Sequence, residues 1–546
     1  MNIRLSKSVL SLSAVALIMA SCGSAPTLIS TPVENIDALP LKVSELTEQQ
    51  KQNWGHADLA TDTIPGMSVD KAYKELIGNK KGTKVIVAVM DSGMDLNHED
   101  LKNVLWTNKK EIPGNNIDDD NNGFIDDVHG YNFLGDSYNE QLESARIVRL
   151  GLGDAALQAK AKAEVEADYA EALAGKQRYE QILQAVKNAD EAVKKELGKD
   201  SYTKQDLASI TAKDETMQRN LAVLNQMYSF SSSIPEAIKN ITGGITYFTD
   251  QVNYNLNKDF NGREPVGDNP YDITDTKYGN GNPINTVDTE SHGTHVAGII
   301  AAERNNGKGA NGVANNVELM SIRTVPNGDE YDKDIALGIR YAVDNGAKVI
   351  NASFGKAYSP KAEWVYEALK YAAEKDVLFV HAAGNDGANL DDYENHPNYP
   401  NDQIKNGAEF VDNVITVGAL ANKYGSTMLA DFSNYGKINV DVFAPGAEIY
   451  STMPGSKYEY MGGTSMASPG VAGVAAVIRS QYPKLTAAQV KKIIMQSGIA
   501  IKTKVVLGGD PSNNNTLANI STSGKMVNLY NALLLAESVS KGQVKL

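Results

Sequence analysis

The sequence predicts an α/β protein: a three-layer sandwich around a mostly parallel central β-sheet, interrupted by an inserted α-helical hairpin or small bundle. Three observations predict it. Short apolar runs recur at Lys84–Met90, Val317–Ile322, Ala347–Ala352, Val377–His381, Val414–Val417 and Asn439–Phe443, as strands buried on both faces require. Amphipathic segments such as Asp332–Asn345 and Pro360–Lys375 lie between several of them, and strand-helix alternation places helices on the faces of a parallel sheet. Residues 140–235 break the alternation, being rich in Ala, Glu and Lys and nearly free of Pro.

Taken in order, the chain opens with Arg4 and Lys7, then an apolar run from Val9 to Ala20, then Ser21 and Cys22. The run is about a dozen residues, too short for a bilayer span of about 20, and reads as a secretory signal over residues 1–21. The Met-Ala-Ser-Cys ending resembles a bacterial lipobox, in which Cys22 becomes the lipidated first residue. The expectation is an exported protein, held in the cell envelope (the outer membrane) by that lipid or secreted, with no other membrane contact. Residues 22–64 read as a polar tether, with a short helix at Val69–Ile77 beginning the body. The body is assigned to residues 65–139 and 236–546, and the helical insertion to 140–235.

Within the insertion, Tyr179, Ile182, Val186, Ala189, Val193 and Leu197 recur at steps of three and four until Gly198. Thr203 and Asp206 form a capping box, and Met217, Leu221, Leu224 and Tyr228 make a second stripe. From Ile238 to Asp288 the chain is rich in Asn, Gly and Asp and reads as loop with short strands. Thr486–Ser497 and Lys525–Ala536 read as closing helices.

Composition narrows the chemistry. The 52 basic and 67 acidic residues leave a formal charge of −15, a surface that repels polyanions and excludes nucleic acid as a partner. A single cysteine, Cys22, excludes a disulfide framework and a cysteine-based zinc site. A monomer is expected.

Four local contexts carry chemistry. Asp91 ends the run VIVAVM and is followed by Ser-Gly; His292 stands in SHGTHVAGIIAA; Asn385 in HAAGNDG; Ser465 in GGTSMASP. Taken singly, Asp91 reads as a turn or cap residue and Asn385 as part of a routine Asn-Asp-Gly loop. A zinc pair of His292 and His295 lacks the glutamate and the spacing of four that a zinc helix needs. A hydrolase elbow would want Gly at position 467, where Ala stands, and the chain order Ser, Asp, His. Together, an acid, an imidazole, an amide and a hydroxyl are what amide hydrolysis asks for.

In that order and with those flanks, the four motifs resemble the subtilisin family, over roughly residues 65–135 and 285–540. The resemblance implies a serine endopeptidase acting on proteins or peptides, with Asp91, His292 and Ser465 as its triad and Asn385 as oxyanion donor. It also implies that Ser353, Phe354 and Gly355 form the edge strand that pairs with substrate. Ala382, Ala383 and Gly384 would form the opposite wall of the specificity pocket. These small walls leave room for a large, uncharged side chain. An idle binding protein of this family would be expected to have lost one of the catalytic side chains, and none is lost. The departure from the family is the insertion, which sets Asp91 and His292 201 positions apart; long surface insertions cost little closure entropy.

Asp118, Asp120, Asn122, Gly123 and Asp126 form D-x-D-x-N-G-x-x-D. Oxygens at alternating positions with Gly at the sixth predict a Ca²⁺ loop, with Phe124 adding a backbone carbonyl. His129 stands where an EF-hand would have its closing Glu, so the site is a structural calcium loop of another kind. Asp100, facing a loop at Asn305–Asn311, is a second candidate that the resemblance suggests.

Overall fold

The computed structural model describes residues 44–287 and 290–546. The signal segment, most of the tether and Cys22 lie outside the described residues. The centre is a nine-stranded sheet. Its strands are β1 (Val85–Asp91), β2 (Gly130–Asn132), β3 (Val317–Arg323), β4 (Val349–Ala352), β5 (Leu378–Ala382), β6 (Val414–Leu420) and β7 (Val442–Pro445). Two hairpins, β8 (Ile449–Met453) with β9 (Lys457–Met461) and β11 (Lys504–Leu507) with β12 (Asp510–Thr516), lie outside it. The short β10 (Ile499–Ala500) and β13 (Lys525–Met526) complete the edge, giving the order β10-β13-β7-β6-β5-β4-β1-β3-β2. All pairings in the sheet are parallel except β10 with β13.

Every residue of β4, β5, β6 and β7 is buried, which is why those runs carry no polar alternation. Helices His292–Ala301, Thr464–Gln481, Ala487–Ser497 and Leu529–Ser540 share one core with the sheet. Helices Asp332–Asp344 and Ala362–Glu374 fill the core of the other face. The sandwich is therefore three-layered, as the sequence predicts. Its chain reverses direction of winding at β1, with β3 on one side and β4 on the other. Open parallel sheets bind ligands in the crevice at such a switch point. Asp91 ends β1, and Ser353 follows the end of β4.

The insertion is a helical bundle. Ala155–Leu197 is one 43-residue helix, capped at its start by Asp154 and stopped by Gly198 in the left-handed conformation. Lys204–Ala208 starts on the expected Thr203/Asp206 capping box, and Glu215–Met227 follows. Val186, Ala189, Val193, Leu207, Leu224, Ile234 and Ile241 form its own core.

Three sequence expectations change. Residues 238–250, read as loop, belong to a 17-residue helix, Ile234–Asp250. The glycines that suggested a loop serve close packing. A Cβ on Gly244 would lie 2.3 Å from the Tyr179 ring, and one on Gly175 2.6 Å from Phe248. The second change is at the tether, whose described end docks on the body. Trp54 is 1% exposed, and its indole N–H donates to the carbonyl of Glu448 at 3.1 Å. At the other terminus, the closing helix begins at Leu529, and Lys525–Met526 is strand.

Where the insertion meets the body, charge is buried. Arg146 is fully buried and its guanidinium meets Glu143 at 2.6 Å. Glu143 also takes the ammonium of Lys356 at 2.8 Å, and Lys356 pairs with Asp332 at 2.9 Å. Arg146 further donates to the carbonyls of Asp329 and Glu330. Residues 140–147 are thus wedged into the body rather than standing out from it.

Candidate active site

Asp91 is 1% exposed at the carboxyl end of β1. Its Oδ1 accepts the N–H of Ser92 at 2.8 Å and lies 2.7 Å from Nδ1 of His292. A carboxylate can only accept, so Nδ1 carries the proton and Nε2 keeps its lone pair. Burial opposes charging of the imidazole, but the charge and hydrogen bond of Asp91 outweigh it, and the pKa of His292 is raised above its ordinary value.

Helix His292–Ala301 can come this close because Gly293 has no side chain: a Cβ there would sit 2.1 Å from the carbonyl oxygen of Gly93. Glu290, just before it, is buried and pairs with Arg323 at the end of β3 at 2.8 Å. That bridge fixes the entry of the histidine helix against the sheet. His295 points elsewhere, its Nε2 against the carbonyl of Glu459 at 3.1 Å.

Ser465 is the second residue of helix Thr464–Gln481, where unpaired N–H groups and the helix dipole favour negative charge. Pro469 lies inside this helix and offers no N–H to the carbonyl of Ser465 four residues earlier. The Ser353 hydroxyl fills that vacancy, donating to the Ser465 carbonyl at 2.8 Å. Ser353 is itself held by the amide of Asn351 at 2.9 Å, and Asn351 by the hydroxyl of Ser468 at 2.9 Å. The Ser465 hydroxyl donates to the Ser353 carbonyl at 3.2 Å; a rotation about χ1 redirects it.

Asn385 follows β5. Its Oδ1 accepts the backbone N–H of Thr464 at 2.8 Å and the Thr464 hydroxyl at 3.0 Å. Those two donors identify the oxygen and leave the NH₂ as the group available to a ligand. The Thr464 hydroxyl also accepts the N–H of Gly384 at 3.0 Å. Thr464 therefore positions Asn385, a role that its place beside Ser465 in the sequence does not announce.

A cleft of about 600 Å³ joins Ser465, Asn385, Phe354, Gly355, Ala382 and Gly384. Phe354 is nearly buried, its carbonyl taken by Nε2–H of His381 at 2.7 Å.

The acidic loop is arranged differently from its sequence pattern. Carboxyl oxygens of Asp118 and Asp120 lie within 4.8 Å of one another and of Glu111, which the pattern does not contain. Asp126 is turned away: its carboxylate takes the N–H groups of Gly114, Asn115 and Asn116. Asn122 spends its Oδ1 on the N–H of Phe124 and its amide on Asp127, and the Phe124 ring packs on Tyr131, Phe133 and Tyr341. Asp100 does meet the 305–311 loop, through Asn306 and Ala310, and also takes the Tyr458 hydroxyl at 2.9 Å.

The model of the subtilase family matches residues 82–521. The chain is 43% identical over 213 residues to a thermophilic serine proteinase of Bacillus sp. strain AK1, covering 39% of this chain and 46% of that protein. It is 41% identical over 227 residues to a cell wall-associated protease of Bacillus subtilis strain 168, covering 41% and 23%. Thermitase of Thermoactinomyces vulgaris is 41% identical over 191 residues, covering 35% and 61%. The matched segments thus span less than two thirds of the length of each of these relatives.

Proposed function

The chain belongs to the subtilase family, and we propose that it is a serine endopeptidase that hydrolyses peptide bonds of protein substrates through Asp91, His292 and Ser465. The observation that carries this is the 2.7 Å contact of Asp91 with Nδ1 of His292. It leaves Nε2 of His292 unprotonated, as a base for a hydroxyl must be. Ser465 Oγ attacks the scissile carbonyl as His292 Nε2 takes its proton. The C–N bond then breaks, His292 returns the proton to the leaving amine, and water repeats the sequence on the acyl-enzyme. Asp91 stabilises the imidazolium. The amide of Asn385 and the backbone N–H of Ser465 receive the oxyanion. Substrate adds to the edge Ser353-Phe354-Gly355 as a strand, against the wall Ala383-Gly384.

Ca²⁺ is proposed as a structural ion at Asp118 and Asp120, with Glu111 in place of Asp126. Carboxylate oxygens gathered within 4.8 Å are donors of the kind Ca²⁺ takes; those of Glu111 and Asp118 also accept backbone N–H groups of the loop, and the ion's effect would be to fix the 108–127 loop. Export and lipid attachment through Cys22 belong to the same proposal, in keeping with the leader and with a relative described as cell wall-associated. No helix among the described residues is long and apolar enough to cross a membrane.

Labelling with a fluorophosphonate, followed by peptide mass spectrometry, tests the assignment. An adduct on Ser465 that S465A abolishes is expected; a folded protein that takes no label would overturn it.

A further inference from the structure

The helical insertion forms part of the cleft that contains Ser465. Leu142 and Ser144 at the start of helix Glu143–Leu150, and Glu164 on helix Ala155–Leu197, line the same space as Ser465 and Asn385. The insertion is fastened at both rims. On one, Tyr358 is buried against Ile147 and Ala161, and its hydroxyl donates to Oε2 of Glu164. On the other, the ammonium of Lys160 donates to the carbonyl of Glu394 at 3.0 Å. The cleft lined by Phe354–Tyr358, Ala382 and Gly384–Asp386 therefore has the insertion as one of its walls.

That wall has a definite charge. Glu164, Asp329 and Asp386 line the cleft. The lysine that lines it, Lys356, is committed to Glu143 at 2.8 Å and Asp332 at 2.9 Å. Asp329 is tied to the N–H of Glu143 at 2.7 Å, and Asp386 accepts the amide of Asn434 at 3.1 Å. Glu164 accepts the neutral hydroxyl of Tyr358 and stands beside its buried ring, with the ammonium of Lys160, already bound to the Glu394 carbonyl, 5.9 Å from that ring's centre. Leu142, Phe354, Tyr358 and Leu390 give the cleft apolar surface among its polar groups, and a carboxylate beside such surface matches a side chain that has a long hydrocarbon stem and a cationic head. A large uncharged side chain would fill the walls and leave the carboxylate unused.

We propose that Glu164 is a specificity-determining residue that selects lysine or arginine at the position whose carbonyl Ser465 attacks. This rests on the peptidase assignment and names its substrate class. The full chain, assayed on a matched series of fluorogenic peptides differing only in Lys, Arg, Leu, Phe or Glu at that position, tests it.

The expected kcat/KM for Lys or Arg is at least tenfold above that for Leu, a ratio that falls as salt screens the charge. E164Q is expected to lower the Lys-to-Leu ratio about tenfold, and E164K to raise cleavage after Glu relative to Lys, as loss and reversal of one charge contact predict. Preference for Leu or Phe in a protein labelled on Ser465, or a Lys-to-Leu ratio the same in E164Q and E164K as in the parent, would overturn the role of Glu164 and leave the peptidase standing. No cleavage of any peptide and no label on Ser465 would overturn both.

Discussion

Nδ1 of His292 donates to Oδ1 of Asp91 across 2.7 Å, although 201 positions separate them and the whole helical insertion lies between them in the chain. The bond sets the tautomer and raises the pKa of His292. Neutral imidazole is the form that accepts the serine proton. Activity is therefore present above that raised pKa and lost as pH falls through it, with a midpoint above the ordinary value of about 6.5. D91N removes the two influences that raise the pKa and leaves burial, which lowers it. Its acid limb should move to lower pH while the plateau falls by about 10⁴-fold. A profile of kcat/KM against pH for both proteins checks this; an unmoved limb in D91N would assign it to another group.

Asn385 is oriented by Thr464 through two hydrogen bonds to one oxygen, so its NH₂ is aimed before substrate arrives. N385A should lower kcat by about 10²–10³ with little change in KM, because the lost hydrogen bond is made to the developing oxyanion. T464V keeps the backbone N–H but not the hydroxyl, and should give a smaller loss of the same kind. Steady-state kinetics on one peptide distinguishes this from a binding defect, which would appear in KM.

The sheet was legible in the sequence because parallel strands buried on both faces must be apolar throughout, and Val414–Leu420 could be little else. The four site motifs were legible because each sits at a strand end or helix start where the local sequence betrays its geometry. Glu111 was not, since it precedes the Asp118–Asp126 pattern and joins it only through folding. Nor was Glu164, a polar position on a long surface helix whose meeting with Tyr358 is set by the packing of Ile147 and Ala161. Helix Ile234–Asp250 was hidden by glycines that serve tertiary contacts with Tyr179 and Phe248.

If Ca²⁺ binds at Glu111, Asp118 and Asp120, it binds the native state alone and adds to its stability by mass action. EGTA should lower the Tm, and excess Ca²⁺ should restore it. E111Q should abolish that difference as thoroughly as D118N does. D126N, whose carboxylate holds the 114–116 turn, should lower the Tm with and without calcium. Calorimetry on the four proteins decides it; equal Tm values for the parent in EGTA and in Ca²⁺ would remove the ion from the loop.

The insertion should be divisible, and the place of division follows from its contacts. Removing residues 140–235 whole would take away Glu143 and Arg146 and leave the buried ammonium of Lys356 with Asp332 and the Glu330 carbonyl. Breaking a buried ion pair by removing one side costs about 3–5 kcal/mol, so that deletion should fail to fold. The outer bundle is different, because Val186, Ala189, Val193, Leu207, Leu224 and Ile234 pack on one another in a core separate from the body. Tyr179 and Gly244 touch across the two long helices, so Leu183 and Ile241 can be joined by a short glycine-rich turn just beyond that contact. The shortened chain should fold, label at Ser465 and keep its ranking of Lys over Leu, since Glu164 and Tyr358 lie on the retained side. Unfolding of this chain by circular dichroism would mean that the outer bundle is required by the body. A folded chain with a changed ranking would place the selectivity farther out along the helices than Glu164.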